Sequence, residues 1–123
     1  MARTETVTVA FTDLVGSTEL ASRLGHDAYE ALRREHFAAL RTAAAAHGGV
    51  VVKSTGDGLM LRFDSAASAI ACVIAMQQAT ERAARGAGRH PLRIRVGVSS
   101  GEAAEEDDDL YGPPVVEAAR LCA

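Results

Sequence analysis

Asp13 closes an apolar run, Val7-Thr8-Val9-Ala10-Phe11-Thr12, and is followed by a turn, Leu14-Val15-Gly16, and two hydroxyl residues, Ser17 and Thr18. A lone carboxylate at a strand end suits a hard divalent cation. A glycine turn that leads into a helix start offers backbone N–H groups to an anion. Together they suit a magnesium-bound polyphosphate, although any strand–turn–helix corner can look this way. A second cluster, Lys53-Ser54-Thr55-Gly56-Asp57-Gly58, follows the valines Val50 to Val52. An Asp between glycines forms a tight turn on backbone grounds alone. It also sets a second carboxylate where, in a small sheet, the first strand and the hairpin are neighbours. Two such carboxylates can share metal ions that bridge substrate phosphates. Lys53, four residues before Asp57, is either a partnered side chain or a strand-edge lysine that blunts aggregation.

The elements that must position these residues follow from hydrophobic period and turn chemistry. Thr6 to Thr12 alternates as a strand. Ser17 or Thr18 caps a short helix that Gly25 stops near Leu24. Asp27 and Glu30 have capping-box spacing for a second helix. Its buried stripe is Leu32, His36, Leu40 and Ala43 or Ala44, with Phe37 beside it, and it ends at His47-Gly48-Gly49. Val50 to Thr55 and Leu59 to Phe63 make a hairpin about Gly56-Asp57-Gly58. Asp64-Ser65 caps a third helix, Ala66 to Arg85, with a broad apolar face of Ala69, Ile70, Val73, Ile74 and Met76. Gly86-Ala87-Gly88 is a loop and Pro91 precedes a strand from Leu92 to Ser99. Glu105 to Asp109 reads as a solvated acidic loop. Gly112-Pro113-Pro114 opens a last helix. The order predicts a single α+β domain over residues 1–123, with a ferredoxin-like mixed sheet and helices on one face.

Composition narrows the classes. The chain has 123 residues, 48% hydrophobic and 24% charged, which is enough for one domain with a real core. The net charge of −3 without a basic run argues against nucleic acid as partner. No apolar run is long enough to span a membrane, and MARTET leads straight into a strand rather than a signal peptide. Cys72 and Cys122 read as reduced core thiols of a cytoplasmic protein. His26, His36, His47 and His90 have no mutual ligand spacing.

FTDLVGST, KSTGDG, RVGVSSGE and DLYGPPVVEAARL, in this order, resemble the catalytic domain of the class III adenylate/guanylate cyclases over essentially the whole chain. The resemblance implies that ATP is converted to 3′,5′-cyclic AMP and pyrophosphate with two Mg²⁺ or Mn²⁺ ions. Asp13 and Asp57 match the metal-holding aspartates, and the carbonyl of Leu14 matches a further metal ligand. Val15, Gly16, Ser17 and Thr18 match the turn that cradles the phosphates. Lys53 and Asp109 match the pair that reads adenine, the lysine donating to N1 and the carboxylate accepting from the exocyclic amine. A one-residue slip would give that role to Asp108. Arg120, eleven residues after Asp109, matches the arginine that stabilises the transition state. The resemblance further implies a head-to-tail homodimer, with metal residues from one subunit facing base-reading and transition-state residues from the other. A fused regulatory domain is a further partner of such domains.

Two departures stand out. Val116 occupies the place of a ribose-orienting asparagine, for which a rate penalty of roughly 10²-fold is expected. Family domains also continue past the arginine-bearing helix, so the chain reads as C-terminally truncated at Ala123, with apolar surface left uncovered. Both leave open a catalytically weak or inactive cyclase-like module that senses nucleotide or dimerises. A diguanylate cyclase shares the sheet and paired carboxylates, but its acidic-rich hairpin is missing here.

Overall fold

The structure is a computed structural model that describes residues 3–85 and 92–123. The predicted loop at Gly86-Ala87-Gly88, His90 and Pro91 lie outside the described residues. The elements are β1 (Arg3–Leu14), α1 (Ser17–Leu24), α2 (His26–Ala46), β2 (Val50–Ser54), β3 (Leu59–Phe63), α3 (Ala66–Ala84), β4 (Ile94–Glu106), β5 (Asp109–Tyr111) and α4 (Pro113–Cys122). The sheet order is β2-β3-β1-β4-β5, with β1 in the centre. The predicted α+β, ferredoxin-like class is borne out.

Within that class the structure corrects several details. Every ladder is antiparallel, so the sheet is not mixed. The α1–α2 connection carries the chain from β1 past the slot that β3 later fills, so neighbours in the sheet run in opposite directions. Nor do the helices share one face. Leu14, Leu61 and Phe63 pack with Leu20, Phe37, Leu40 and Met76 of α1, α2 and α3. Val7, Val9, Met60 and Leu110 form a second core with Ala118 of α4 on the other side of the sheet. Gly97 and Gly101 of β4 make room for α4. A Cβ at Gly97 would lie 2.1 Å from the Ala118 carbonyl oxygen, and one at Gly101 would touch Pro114.

The acidic stretch is not a loop either. Glu105 and Glu106 end β4, and Glu106 pairs with Asp109 across a two-residue turn. Asp107 and Asp108 form that turn with φ of 52° and 62°. Two left-handed residues are what a tight hairpin requires, and Asp tolerates them better than most residues.

Two caps also differ. Neither Ser17 nor Thr18 caps α1, whose N-cap is the left-handed Gly16, and Asp27 does not cap α2, which starts from Gly25. Ser65 does cap α3, accepting from the Ser68 N–H at 3.2 Å. On α3 the buried face is Ala69, Cys72, Met76 and Thr80. Ile70 and Ile74, placed by the sequence on the apolar face, are half exposed. Polar groups inside β1 are satisfied. Thr8 Oγ1 lies 2.7 Å from Ser100 Oγ, and Thr12 Oγ1 accepts from the Leu59 N–H.

Candidate active site

Asp13 stands at the C-terminal end of β1, with Arg95 as its cross-strand neighbour on β4. The Arg95 guanidinium lies 4.0 Å from Asp13 Oδ2. Beyond Asp13 the chain leaves the sheet, and the Val15 N–H donates to the Arg93 carbonyl at 2.9 Å. Gly16, at φ +67°, turns it into α1. A cleft of about 410 Å³ opens around Val15 and Gly16, walled also by Glu19, Arg23 and Arg93. The predicted phosphate turn therefore carries two arginines at its rim.

The β2–β3 turn is held against β1 through the backbone. The Leu14 N–H donates to the Asp57 carbonyl at 3.2 Å. Gly58 sits so close to β1 that a Cβ would fall 1.7 Å from the Thr12 carbonyl oxygen. These contacts bring the Asp13 and Asp57 segments together, as the sequence predicted. The Asp57 carboxylate accepts from Ser17 Oγ at 2.5 Å and from Tyr29 Oη at 3.1 Å. Arg33 Nε is 3.6 Å from its Oδ1, and an Arg33 terminal nitrogen donates to the Gly56 carbonyl at 2.5 Å. Tyr29 is buried, and burial followed by the adjacent Asp57 charge pushes its phenol above the usual value. Ser17 thus spends its hydroxyl on Asp57 and not on the helix terminus.

The donor set suits a hard cation. Both carboxylates remain partly exposed, at 42% for Asp13 and 34% for Asp57. Among the described residues no three His, Cys, Asp or Glu side chains converge. An ion here would complete its shell with a backbone carbonyl such as that of Leu14, water and phosphate oxygens, which is how magnesium is usually held.

Lys53 and Asp109 form a second centre. A β-bulge falls between Val51 and Lys53 and interrupts the register of β2 with β3. Lys53 Nζ donates to Asp109 Oδ2 at 2.7 Å, joining strands at opposite edges of the sheet. Asp109 Oδ1 accepts from the Leu110 N–H at 2.8 Å. The Lys53 hydrogen bond, with this backbone donor next, holds the Asp109 carboxyl below its ordinary value. Asp108 is the turn residue at φ 62°, and Lys53 pairs with Asp109. The pair is bounded by a cleft of about 190 Å³ lined by Val50 to Val52, Arg62 and Asp109. Arg62 is tied to Glu5, Asp64 and Glu105 and stitches β1, β3 and β4 behind it.

Arg120 and Val116 lie one turn apart on the exposed side of α4, and Val116 is 52% exposed. Among the described residues no hydrogen bond or ion pair joins Arg120 to Asp13 or Asp57, or joins those carboxylates to Lys53 or Asp109. Sequence reasoning missed Tyr29, Arg33 and Arg95. Tyr29 and Arg33 are four residues apart, on one face of α2, and Arg95 is the cross-strand partner of Asp13. Helical spacing and strand pairing were the available signals.

The family model for the adenylate and guanylate cyclase catalytic domain matches residues 1–122. The chain belongs to that family. A relative from Rhizobium meliloti (strain 1021), provisionally named an adenylate cyclase, is 36% identical over 110 residues, 89% of this chain and 19% of that protein. The crystal structure of an adenylate/guanylate cyclase/hydrolase from Silicibacter pomeroyi superposes with a TM-score of 0.80 at 30% identity. It covers 99% of this cyclase domain and 72% of that chain. The adenylyl cyclase CyaB from P. aeruginosa superposes with a TM-score of 0.87 at 26% identity, over 98% of this chain and 72% of that one. The cyclase domain spans only 10% to 39% of the curated relatives' length. No helix among the described residues is long and apolar enough to cross a membrane.

Proposed function

We propose that this cyclase domain converts ATP to 3′,5′-cyclic AMP and pyrophosphate. The observation that carries the adenine assignment is the 2.7 Å Lys53–Asp109 pair. It holds one donor and one acceptor side by side at the mouth of a cleft, matching adenine N1 and the exocyclic amine. A guanine edge presents the reverse order at the same two positions.

In the reaction the ribose 3′-hydroxyl gives its proton to solvent water and its oxygen bonds to the α-phosphorus, while the bond from that phosphorus to the oxygen bridging to the β-phosphorus breaks and pyrophosphate leaves. Asp13, Asp57 and the Leu14 carbonyl would hold Mg²⁺ or Mn²⁺, which supply acidification of the 3′-hydroxyl and neutralisation of the triphosphate when bound. Val15 to Thr18 orient the phosphates on the first turn of α1. Arg95, beside Asp13, adds fixed positive charge on the same side. Arg120, free of protein partners among the described residues, is available to meet charge developing on the α-phosphoryl group. A head-to-tail homodimer would complete each site from two halves, with Lys53, Asp109 and Arg120 brought by the partner, as the family resemblance implies. The short span of this domain within its curated relatives supports a fused regulatory domain.

The test is product analysis with Mn²⁺ and either ATP or GTP. Cyclic AMP is expected, and its formation should be lost in Asp13→Ala and Asp57→Ala. Cyclic GMP as the only product would refute the adenine assignment, and unchanged rates in the two alanine variants would refute the metal assignment. The paired exchange Lys53→Glu with Asp109→Lys should move preference toward GTP.

A further inference from the structure

Helix α2 is a surface helix, yet it sends two polar side chains to one carboxylate. Tyr29 Oη donates to Asp57 Oδ1 at 3.1 Å, and Arg33 Nε approaches the same oxygen at 3.6 Å. Residue Phe37, one turn further along, lies beneath the guanidinium, whose carbon is 4.6 Å from the ring centroid. The other end of the guanidinium donates to the Gly56 carbonyl. Tyr29, Arg33 and Phe37 form a column at four-residue spacing, the geometry of one helix face. Phe37 fixes the plane of Arg33, and Arg33 and Tyr29 together fix the tip of the β2–β3 hairpin.

We propose that Tyr29 and Arg33 are positioning residues that set the affinity of Asp57 for its divalent cation in opposite directions. The inference rests on the metal-binding reading of Asp57. The Tyr29 hydroxyl removes rotational freedom from the carboxylate and leaves its charge in place. Outer-sphere donors of this kind are typically worth 10- to 100-fold in metal affinity. Arg33 also orients the carboxylate, but it is a resident cation that repels an incoming one. In a half-exposed site that repulsion amounts to about tenfold in affinity, and salt screens it. Tyr29 thereby prepares the carboxylate for metal, and Arg33 keeps it neutralised until substrate phosphates bring enough negative charge to outweigh the arginine. Free cation then binds weakly and metal–nucleotide binds well.

The test is titration of Mn²⁺ alone against the whole chain, with bound ion counted from loss of the free-ion spin resonance signal. Thermal melts of each variant accompany it. Asp57→Asn should remove the binding. Tyr29→Phe should weaken it 10- to 100-fold. Arg33→Gln should tighten it about tenfold at low salt, with the gain shrinking as ionic strength rises, whereas Arg33→Lys, which keeps the charge, should not tighten it. Weaker binding in every α2 variant, in step with lower melting temperatures, would overturn the proposal and make the column structural only. Equal affinity in wild type and all α2 variants would overturn it too. If binding is absent from both wild type and Arg33→Gln, or survives Asp57→Asn, the metal reading itself fails, and this inference falls with it.

Discussion

Lys53 and Asp109 were legible as residues but not as a bonded pair. The lysine broke a valine run, and the aspartate stood eleven residues before an arginine in a motif that resembled a family. That they meet directly depends on the sheet drawing its two edge strands together, which no local pattern encodes. The pairing has a measurable signature: in Lys53→Met the Asp109 carboxyl should titrate higher, toward its ordinary range, as read from carboxyl carbon shifts against pH. An unchanged titration would break the link between the two. His36 belongs to the predicted buried stripe of α2, and it is buried with Nε2 unpartnered among the described residues. Burial holds its imidazole below the ordinary value, so the folded chain disfavours the proton that the unfolded chain accepts. The contribution is complete above about pH 6.5 and is lost as pH falls from there toward the lowered folded value. Melting temperature should therefore drop below neutrality, and His36→Leu should flatten that part of the profile.

At the scale of elements, the strands and helices were readable from period and turn residues, and the choice of face was not. Ala118 and the glycines of β4 decide that α4 lies opposite the other helices, because only bare backbone lets the helix come so close. A sequence marks Gly97 as a weak strand residue and says nothing of what leans on it. The hairpin at Asp107-Asp108 was hidden for a different reason: acidic residues signal solvent, and these two reach a turn conformation usually given to Asn-Gly. Gly97→Ala should displace α4 and destabilise the fold by about 1–3 kcal/mol, the usual cost of overpacking. Chemical denaturation would measure that loss. The same substitution should reduce cyclase activity more than stability alone predicts, because Arg120 rides on α4.

For the whole molecule, the ferredoxin-like class followed from the order of elements and the family from four motifs in sequence. Val50, Tyr111, Val116 and Leu121 are exposed apolar side chains. Val116 and Arg120 share the open side of α4. In the homodimer proposed above, a second subunit on that side would bring the other half of the site. Complementation tests this arrangement. Asp57→Ala and Arg120→Ala chains should each be inactive alone, and an equal mixture should recover about a quarter of wild-type activity, since random pairing makes half the dimers mixed and each of those keeps one intact site. No recovery in a mixture that exchanges subunits would place both half-sites within one chain.

Cys122 lies at the end of α4, buried, with its Sγ donating to the Arg95 carbonyl at 3.4 Å. Burial, and next the Asp13 charge, raise its thiol above the ordinary value, so little thiolate is present at neutral pH. Alkylation must therefore wait for the helix end to lift from β4. The rate of that single covalent event is a clock for the opening of α4, with Cys72, fully buried on the inner face of α3, as the slower internal standard. A subunit or nucleotide that clamps α4 would stop the clock at Cys122 and leave the count at Cys72 unchanged.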